Sequence, residues 1–479
     1  MTEIAVDFPK NFKKALDDGQ LRRNLRAAMD TLGLRRRNLF SDVEAFERLR
    51  ARGDAIRQRA LRQLPELLER LEKKCTANGI QVHWAETPAE ANAICLEIIQ
   101  RHNATRVIKG KSMVSEEMHL NHFLHERGIE ALETDLGEYI IQLEHETPSH
   151  IIVPAIHKNR DQIAKLFHEK IPNTPYTEVV EELNAIARQV LREKFFAGEV
   201  GVSGVNFAVA ETGTLCLVEN EGNGRMCTTA PPVHIAIMGI EKVLERLEDV
   251  PPLLRLLTGS ATGQLITTYF NMISSPRKPD EKDGPKEVHL VLLDNGRSKI
   301  WADPDLRHTL KCIRCGTCLN HCPVYTRLGG HAYGYVYPGP IGSILTPQIE
   351  GLKNAGAMAT ASTFCGACEE VCPVKIPITD ILRRLRVESY DKDETPNSVK
   401  DHGYKSNATE NLTWKGWAFS NAEPWFNALN AKLLGLAGPL LPKLPAVGIV
   451  KKWSQSRALP PFATKSLHVL AKEKGIRDE

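Results

Sequence analysis

The sequence predicts an α/β domain followed by a smaller, cysteine-rich helical module. Between residues 76 and 300, short apolar segments alternate with amphipathic segments of helical period. This alternation is typical of a parallel sheet with helices on its faces. After residue 300 it stops, and seven of the eleven cysteines lie between Cys312 and Cys372. The fold class and the chemistry are therefore indicated by different parts of the chain.

Residues 1–75 are predicted to form a helical region. From Asp42 to Lys74 apolar residues recur at roughly helical spacing, with Gly53 and Pro65 as interruptions. The strands predicted for the α/β domain at 76–300 are Ile80–Ala85, Arg106–Ile108, Ile151–Ile156, two short strands around the Glu211–Gly213 turn within Gly204–Glu219, His234–Ile240 and Val288–Asp294. The predicted helices are Pro88–His102, Ser115–Arg127, Asn159–Glu169 and Thr177–Phe196.

Composition excludes the more extreme classes of protein. A chain of 479 residues with 42% hydrophobic and 25% charged residues is typical of a globular protein, and a net charge of +3 indicates no strongly charged partner. The run Arg35–Arg37 adds local positive charge. Basic residues in this region are interleaved with acids and leucines, as on solvated helix faces, so we expect no binding of nucleic acid.

The compartment is predicted from the cysteines and from the termini. Cys75, Cys95, Cys216 and Cys227 are scattered without the spacing of a disulfide framework, which suits a reducing compartment. The first 19 residues lack the apolar core of a secretory signal, so we expect a cytoplasmic protein. Prolines interrupt the apolar segment 433–450, and we expect no integral membrane segment.

The first cysteine run has the spacing Cys-x2-Cys-x2-Cys-x3-Cys-Pro and ends at Cys322. In two-cluster ferredoxins the fourth cysteine of such a run binds the other iron–sulfur cluster. We therefore assign Cys312, Cys315, Cys318 and Cys372 to a first cluster. Structural zinc is the competing interpretation, because paired Cys-x2-Cys motifs bind tetrahedral metal. Zinc requires neither the third cysteine at this spacing nor the final Cys-Pro.

The second cluster is one cysteine short. Cys322, Cys365 and Cys368 remain for it, and Ser362 stands where an eighth cysteine would complete the pattern. Three thiolates suit a [3Fe–4S] centre, or a [4Fe–4S] centre whose fourth iron takes Ser362, water or a ligand from a partner. Serine is a harder donor than cysteine, and its alternative role is that of a helix N-cap or a loop hydroxyl.

Two segments of the α/β domain have the composition of ligand-binding loops. Lys109–Glu117 joins a strand to a helix, a geometry that directs backbone N–H groups towards an anion. A glycine-rich turn follows the strand that ends near residue 219, and it could bind a phosphate or a carboxylate near its arginine. A polar hairpin without a ligand is the alternative. The candidate ligand residues of this turn are Glu219, Asn220, Asn223 and Arg225.

The end of the chain combines a polar linker with an aromatic tail. Residues 391–409 are polar and predict a linker. Intramolecular packing, a partner interface and peripheral membrane contact are the three interpretations of the aromatic residues that follow. These residues are Trp414, Trp417, Phe419, Trp425 and Phe426.

Three runs from the α/β domain stand out beside the seven-cysteine module: Gly110-Lys-Ser-Met-Val-Ser-Glu-Glu, Glu133-Thr-Asp-Leu-Gly-Glu-Tyr-Ile and Ala210-Glu-Thr-Gly-Thr-Leu. Together they resemble the lactate-utilisation iron–sulfur protein B family, LutB/YkgF, over nearly the whole chain. The resemblance implies a LUD domain at 76–300, similar in fold to the CoA-transferase and ribose-phosphate-isomerase class. It also implies an α-helical ferredoxin-type module at 301–395 and a LutB-type C-terminal domain at 396–479.

The resemblance further implies an electron-transfer subunit of a complex that oxidises L-lactate to pyruvate and allows growth on lactate. The family pattern gives both clusters as [4Fe–4S] despite the seven cysteines. The implied partners are the A-type and C-type lactate-utilisation proteins, with an electron acceptor that the sequence does not identify. Two alternatives remain. One is a LUD-domain enzyme that uses the open iron of the second cluster as a Lewis acid on a hydroxy acid, and the other is a redox-sensing scaffold.

Overall fold

A computed structural model describes residues 8–390, 399, 408–437 and 465–475. The chain divides into two units, Met1–Tyr404 and Lys405–Glu479. The first unit contains the α/β domain, the helices that precede it and the cysteine region. All seven clustered cysteines and both ligand-loop candidates therefore belong to one unit.

Two sheets organise the first unit. The described strands, in chain order, are β1 (Gln81–Ala85), β2 (Arg106–Lys109), β3 (Glu130–Glu133), β4 (Val200–Gly204), β5 (Phe207–Val209), β6 (Thr214–Glu219), β7 (Val233–Gly239), β8 (Val243–Leu244), β9 (Tyr269–Ile273) and β10 (Glu287–Leu293). Six of them pair in parallel in the order β1-β10-β7-β4-β2-β3. The central strands β7 and β10 are almost entirely buried and rich in Val, Ile and Leu, as expected for a parallel sheet covered on both faces.

The second sheet has the order β8-β5-β6-β9. Strands β5 and β6 pair antiparallel around the predicted turn at residues 211–213. Strand β9 was not predicted from the sequence, because its residues are only partly buried and carry no clear alternation. This sheet brings the end of β6, and with it the glycine-rich turn, next to the cysteine region.

Helices cover the sheets and form most of the rest of the first unit. In chain order they are α1 (Phe8–Asp17), α2 (Gly19–Leu39), α3 (Val43–Arg62), α4 (Leu64–Ala77), α5 (Pro88–Arg101), α6 (Met113–Glu117), α7 (Leu120–His125), α8 (Leu136–Leu143), α9 (Arg160–Lys170), α10 (Val180–Ala197), α11 (Asn223–Thr229), α12 (Val250–Thr262), α13 (Arg297–Ala302), α14 (Thr317–Asn320), α15 (Tyr325–Leu328), α16 (Gly339–Glu350), α17 (Leu352–Ala355), α18 (Ala367–Glu370) and α19 (Ile378–Tyr390).

The N-terminal helices pack against the cysteine region rather than forming a separate layer. Leu25 and Ile56 share one hydrophobic core with the buried cysteines. Helix α3 runs through Gly53, so the expected interruption there is wrong. A Cβ atom on Gly53 would lie 2.3 Å from Leu256 Cδ1, and glycine thus allows α3 to approach α12 closely. Pro65 lies in the first turn of α4, where its missing N–H has no helical partner to lose.

Two predicted elements differ from the structure. The expected helix at 115–127 is instead the pair α6 and α7, separated by His119 with a φ of 52°. Residues 151–156, which were expected to form a strand, form bends and turns instead. There the N–H groups of Ile152 and Val153 donate to His150 Nδ1, at 3.0 and 3.1 Å. These donors are therefore not available for pairing with a neighbouring strand.

The second unit contains α20 (Ala408–Ala422), α21 (Pro424–Ala437) and α22 (Leu467–Glu473). Its large aromatic side chains remain 58–64% exposed at Trp414, Trp417, Phe419 and Trp425, and neighbouring aromatic rings of this unit contact one another. Among the described helices of both units, none combines the length and the apolar character needed to cross a bilayer. Most of the predicted linker, and the apolar segment from residue 438 onwards, lie outside the described residues.

Candidate functional site

Four cysteines from the two runs line one small cavity. Cys312, Cys315, Cys318 and Cys372 are each at most 9% exposed. The rest of the wall is mainly isoleucine, valine and proline. These are the four residues that the spacing groups together. Soft thiol donors in an apolar surrounding fit an iron–sulfur cluster, whose potential depends on how far water is excluded.

The other three cysteines lie beside this cavity, and one of them reaches the surface. Burial raises the pKa of Cys368 to about 12, and the neighbouring thiols of Cys322 and Cys365 add to the shift. Cys322 and Cys368 are buried, whereas Cys365 is exposed. Burial also raises the pKa of Cys318, with Cys368 among the thiols that contribute. The two groups of cysteines are therefore electrostatic neighbours.

The two cysteine runs share one local backbone conformation. Arg314 and Phe364, which occupy the third position of each run, both have positive φ angles of 59° and 54°. Gly316 and Gly366 follow with φ angles of 72° and 78°, and each precedes a four-residue helix, α14 or α18. A positive φ is uncommon for residues with a side chain. Its recurrence indicates that the second run folds as a cluster-binding loop despite its missing cysteine.

Arginines of the N-terminal helices reach the second cysteine run. Arg36 donates through Nη2 to the carbonyl of Val371 at 3.2 Å. Arg50 donates through Nε to the carbonyl of Cys372 at 3.0 Å. Part of the positive charge of the N-terminal region is therefore directed at the cysteine module, where it would stabilise anionic thiolate ligands.

Arg57 ties three parts of the first unit together. Its side chain is 1% exposed and donates to four backbone carbonyls, those of Glu241, Val243, Leu310 and Lys311, over 2.5–3.2 Å. The first two acceptors belong to the α/β domain and the last two immediately precede Cys312. One guanidinium of α3 thus fixes the position of the first cysteine run relative to the sheets.

A larger pocket, of about 270 Å³, lies between the α/β domain and the first cysteine run. Lys242, Arg314 and Tyr337 line it and are all less than a tenth exposed, whereas Glu221 at its rim is exposed. The loop at residues 110–114 forms part of its wall. The pocket is therefore deep, and its floor carries two basic side chains, Lys242 and Arg314.

The structure places the four candidates of the glycine-rich turn differently. Glu219, Asn220 and Asn223 line the pocket, whereas the Arg225 side chain lies over the Tyr269 ring and not in the lining. Both Glu219 oxygens accept backbone N–H groups, from Gly224 and Arg225, at 2.6 Å each. Glu219 therefore acts first as a support for the turn.

The loop after β2 has a largely structural role. Lys109 is fully buried, and its Nζ atom pairs with Glu133 at 2.6 Å and with Glu116 at 2.8 Å. Burial opposes the charge of Lys109, but these carboxylates outweigh it and raise its pKa above the usual range. Ser112 caps α6 by accepting the N–H of Ser115. Only the part of the loop beyond Lys109 faces the pocket.

A buried ion-pair network supports the floor of the pocket. Arg297 binds Glu117 at 2.7 Å and Glu241 at 2.8 Å, and Arg314 binds the other oxygen of Glu241 at 3.3 Å. The Tyr337 hydroxyl donates to Glu117 at 2.7 Å. Since Glu241 is shared between two guanidinium groups, it leaves Lys242 poorly compensated. Burial, with Arg314 as the next cause, lowers the pKa of Lys242 to about 7.

Sequence reasoning missed the three floor residues. Arg314 lies inside a Cys-x2-Cys motif, which drew attention to its cysteines alone. Lys242 follows a buried strand and Tyr337 lies in the spacer between the cysteine runs, and neither has a local motif. Tyr337 could have been found only by knowing that this spacer folds back over the α/β domain.

Three family models match the chain in succession. The LUD domain matches residues 68–293, the 4Fe-4S dicluster domain matches residues 308–376, and the family described as lactate utilisation protein B, C-terminal, matches residues 384–476. The glycine-rich turn and the pocket floor up to Lys242 lie in the first region. All seven clustered cysteines lie in the second.

Curated relatives are similar to the chain over most of its length. The uncharacterized electron transport protein YkgF of Escherichia coli (strain K12) is 40% identical over 465 residues, covering 95% of this chain and 94% of the relative. Lactate utilization protein B of Macrococcus caseolyticus is 43% identical, covering 85% and 86%. The protein of the same name from Bacillus subtilis (strain 168) is 40% identical, covering 82% of each.

A solved structure is also similar in part. It is the crystal structure of a DUF162 family protein from Deinococcus radiodurans, which is 14% identical. The match covers 48% of this chain and 98% of that chain, with a TM-score of 0.28.

Proposed function

The chain belongs to the lactate utilisation protein B family, and we propose on this basis that it is the iron–sulfur electron-transfer subunit of a complex that oxidises L-lactate to pyruvate. The observation that carries the proposal is the convergence of four cysteines, from two distant runs, on one buried cavity. The choice of electron transfer and of lactate in this proposal comes from the names of the curated relatives, which refer to electron transport and to lactate utilization.

We further propose two [4Fe–4S] clusters. Cys312, Cys315, Cys318 and Cys372 would hold the first, and Cys322, Cys365 and Cys368 the second. Clusters of this kind supply transfer of single electrons when bound. The chain contributes the thiol ligands, an apolar wall that excludes water, and arginines that offset negative charge.

The two cysteine groups differ in their access to a partner. The cavity of the first group is buried, whereas Cys365 of the second group is exposed. A redox partner therefore has its closest approach at the second group. We propose the A-type and C-type lactate-utilisation proteins as members of the complex, located with this chain in the cytoplasm.

The geometry gives less support to an enzyme that uses the second cluster as a Lewis acid. Such an enzyme needs the open iron next to the ligand pocket. The residues that line the pocket include Arg314 of the first run but none of the second group's cysteines, and not Ser362. No specific feature of the described residues favours the redox-sensing scaffold.

Complementation of a deletion strain would test the proposed function. The strain would lack the chromosomal copy and carry either the wild type or Cys312→Ser, with growth on L-lactate as the readout. Cys95→Ser is the matched control, because Cys95 is also buried but lies in the α/β domain. We expect growth with the wild type and with Cys95→Ser only. Normal growth with Cys312→Ser, when the protein is present at wild-type levels, would contradict the proposal.

A further inference from the structure

Arg314 connects the pocket with the first cysteine run. It stands between Cys312 and Cys315 in the chain and also lines the pocket. Its Nη2 atom pairs with Glu241, but its Nη1 atom is buried and has no hydrogen-bond partner among the described residues. An unsatisfied buried donor typically costs about 1–3 kcal/mol, and more when it carries charge. The side chain lines both this pocket and the cavity of the first cysteine group, and it offers a cationic donor at the boundary between them.

Lys242 adds a second basic side chain to the same floor. It is 6% exposed and lines the pocket together with Arg314. The nearest acid, Glu241, is already shared by Arg297 and Arg314. Because burial and Arg314 lower the pKa of Lys242 to about 7, an anion bound beside both side chains would favour the charged form of Lys242. The pocket floor therefore has the charge and the donors of an anion-binding site.

The rim of the pocket has the opposite character. Glu221 is exposed, Asp135 is half-buried, and both line the pocket together with Asn220. Lys111 also lines this part, and its Nζ atom donates to the carbonyl of Ile152 at 2.6 Å. Carboxylates accept hydrogen bonds and repel a second negative charge, so this end suits a neutral donor such as a hydroxyl group. The volume of about 270 Å³ lies just below the usual range for small-molecule sites, which suits a ligand of few atoms.

We propose that this pocket binds a small organic hydroxycarboxylate, with its carboxylate between Arg314 and Lys242 and its hydroxyl group towards the acidic rim. The cationic floor selects the carboxylate, and the acidic rim disfavours dicarboxylates. Because Arg314 is flanked by two cysteines of the first run, the bound carboxylate lies next to that run. The structure thus assigns a ligand site to the junction of the α/β domain and the cysteine module.

The inference rests on the proposed function only for the choice of lactate as the first probe. The site itself follows from its charges and its volume. Direct binding to the purified chain is therefore measured separately from electron transfer and from growth. A chain that supports growth on lactate but binds no lactate would overturn the inference and leave the proposed function intact.

Isothermal titration calorimetry under anaerobic conditions would test the proposal. The full chain, purified with its iron, would be titrated with L-lactate, D-lactate, succinate and inorganic phosphate. We expect saturable binding of lactate and weaker binding of succinate. Arg314→Gln and Lys242→Gln should each weaken the binding of lactate by about 10-fold or more, because each removes a charge-assisted contact. Arg225→Gln is the matched control and should bind lactate as the wild type does.

Two checks keep the result decisive. Iron content and thermal unfolding would show whether a variant has kept its fold. If Arg314→Gln loses iron, the result for Lys242→Gln is decisive, because Lys242 is not part of the cysteine run. Binding of phosphate without lactate would overturn the proposal in favour of an inorganic anion site. Absence of lactate binding, or equal loss with Arg225→Gln, would also overturn it.

Discussion

Ser362 is held in the same way as Cys312. The N–H of Phe364 donates to Ser362 Oγ at 3.1 Å, and the N–H of Arg314 donates to Cys312 Sγ at 3.4 Å. In both runs the donor lies two residues after the acceptor and has a positive φ. The second run thus keeps the shape of a four-ligand loop with a hydroxyl in place of one thiol. Ser362 is therefore placed where a ligand to the second cluster is expected.

Replacement of Ser362 tests whether its hydroxyl binds iron. Ser362→Ala should lower the iron content below the value of about eight atoms per chain that the two proposed [4Fe–4S] clusters would give, and increase a [3Fe–4S] signal in the EPR spectrum. Ser362→Cys should instead slow the loss of iron in air, because it completes a set of four soft ligands. Thr363→Ala, at the exposed neighbouring position, is the control. If Ser362→Ala has the iron content and spectrum of the wild type, the hydroxyl is not a ligand.

Crossed ligation predicts that distant cysteines affect the same cluster. Cys312→Ser and Cys372→Ser should alter one EPR signal, and Cys322→Ser should alter the other, because the last cysteine of each run belongs to the opposite group. The measurement is EPR of the reduced protein, with iron analysis of each variant. A shared signal for Cys312→Ser and Cys322→Ser would contradict the assignment.

Arg57→Met should destabilise the first unit by about 3–5 kcal/mol, because it leaves four buried carbonyls without their charged donor. Urea unfolding under anaerobic conditions would measure the change. Arg62→Met on the same helix is the matched control, since Arg62 is exposed, and it should change the free energy of unfolding by about 0.5 kcal/mol or less. Equal stability of the two variants would show that the carbonyl contacts of Arg57 contribute little.

The free energy of unfolding should decrease as the pH is lowered below about 6.5, in part because of His234. Burial lowers the pKa of this histidine to about 3, with His289 as a further cause, and its ring lies 2.8 Å from Ser203 Oγ. The unfolded chain binds a proton below about pH 6.5 and the folded chain does not. The contribution of His234 is therefore complete above pH 6.5 and is lost progressively towards pH 3, by about 2 kcal/mol at pH 5.

His234→Gln removes this titrating group. It should therefore reduce the change in the free energy of unfolding between pH 7 and pH 5 by about 2 kcal/mol. Urea unfolding at pH 5, 6 and 7 would measure the difference from the wild type. An identical slope for both proteins would show that His234 does not account for acid sensitivity. Loss of iron should be followed in parallel, so that release of a cluster is not mistaken for unfolding.

Much of the fold could be predicted from local patterns. The apolar runs that became β7 and β10 are recognisable because strands buried on both faces need continuous apolar sequence. The strand expected at residues 151–156 failed because His150 takes up the N–H groups of the two residues that follow Ile151. A side-chain acceptor of this kind leaves no trace in hydrophobic periodicity.

The sequence by itself determined the seven candidate iron ligands and their grouping, because ligand spacing in a tight loop is a local property of the chain. Only the tertiary structure decided that Arg314 and Lys242 lie at the floor of one pocket, since these residues are far apart in sequence and meet only when the cysteine module packs on the sheets. It also decided that Arg225, the cation expected to bind a ligand, points elsewhere. Charge pairing across distant segments depends on packing, which no local pattern records.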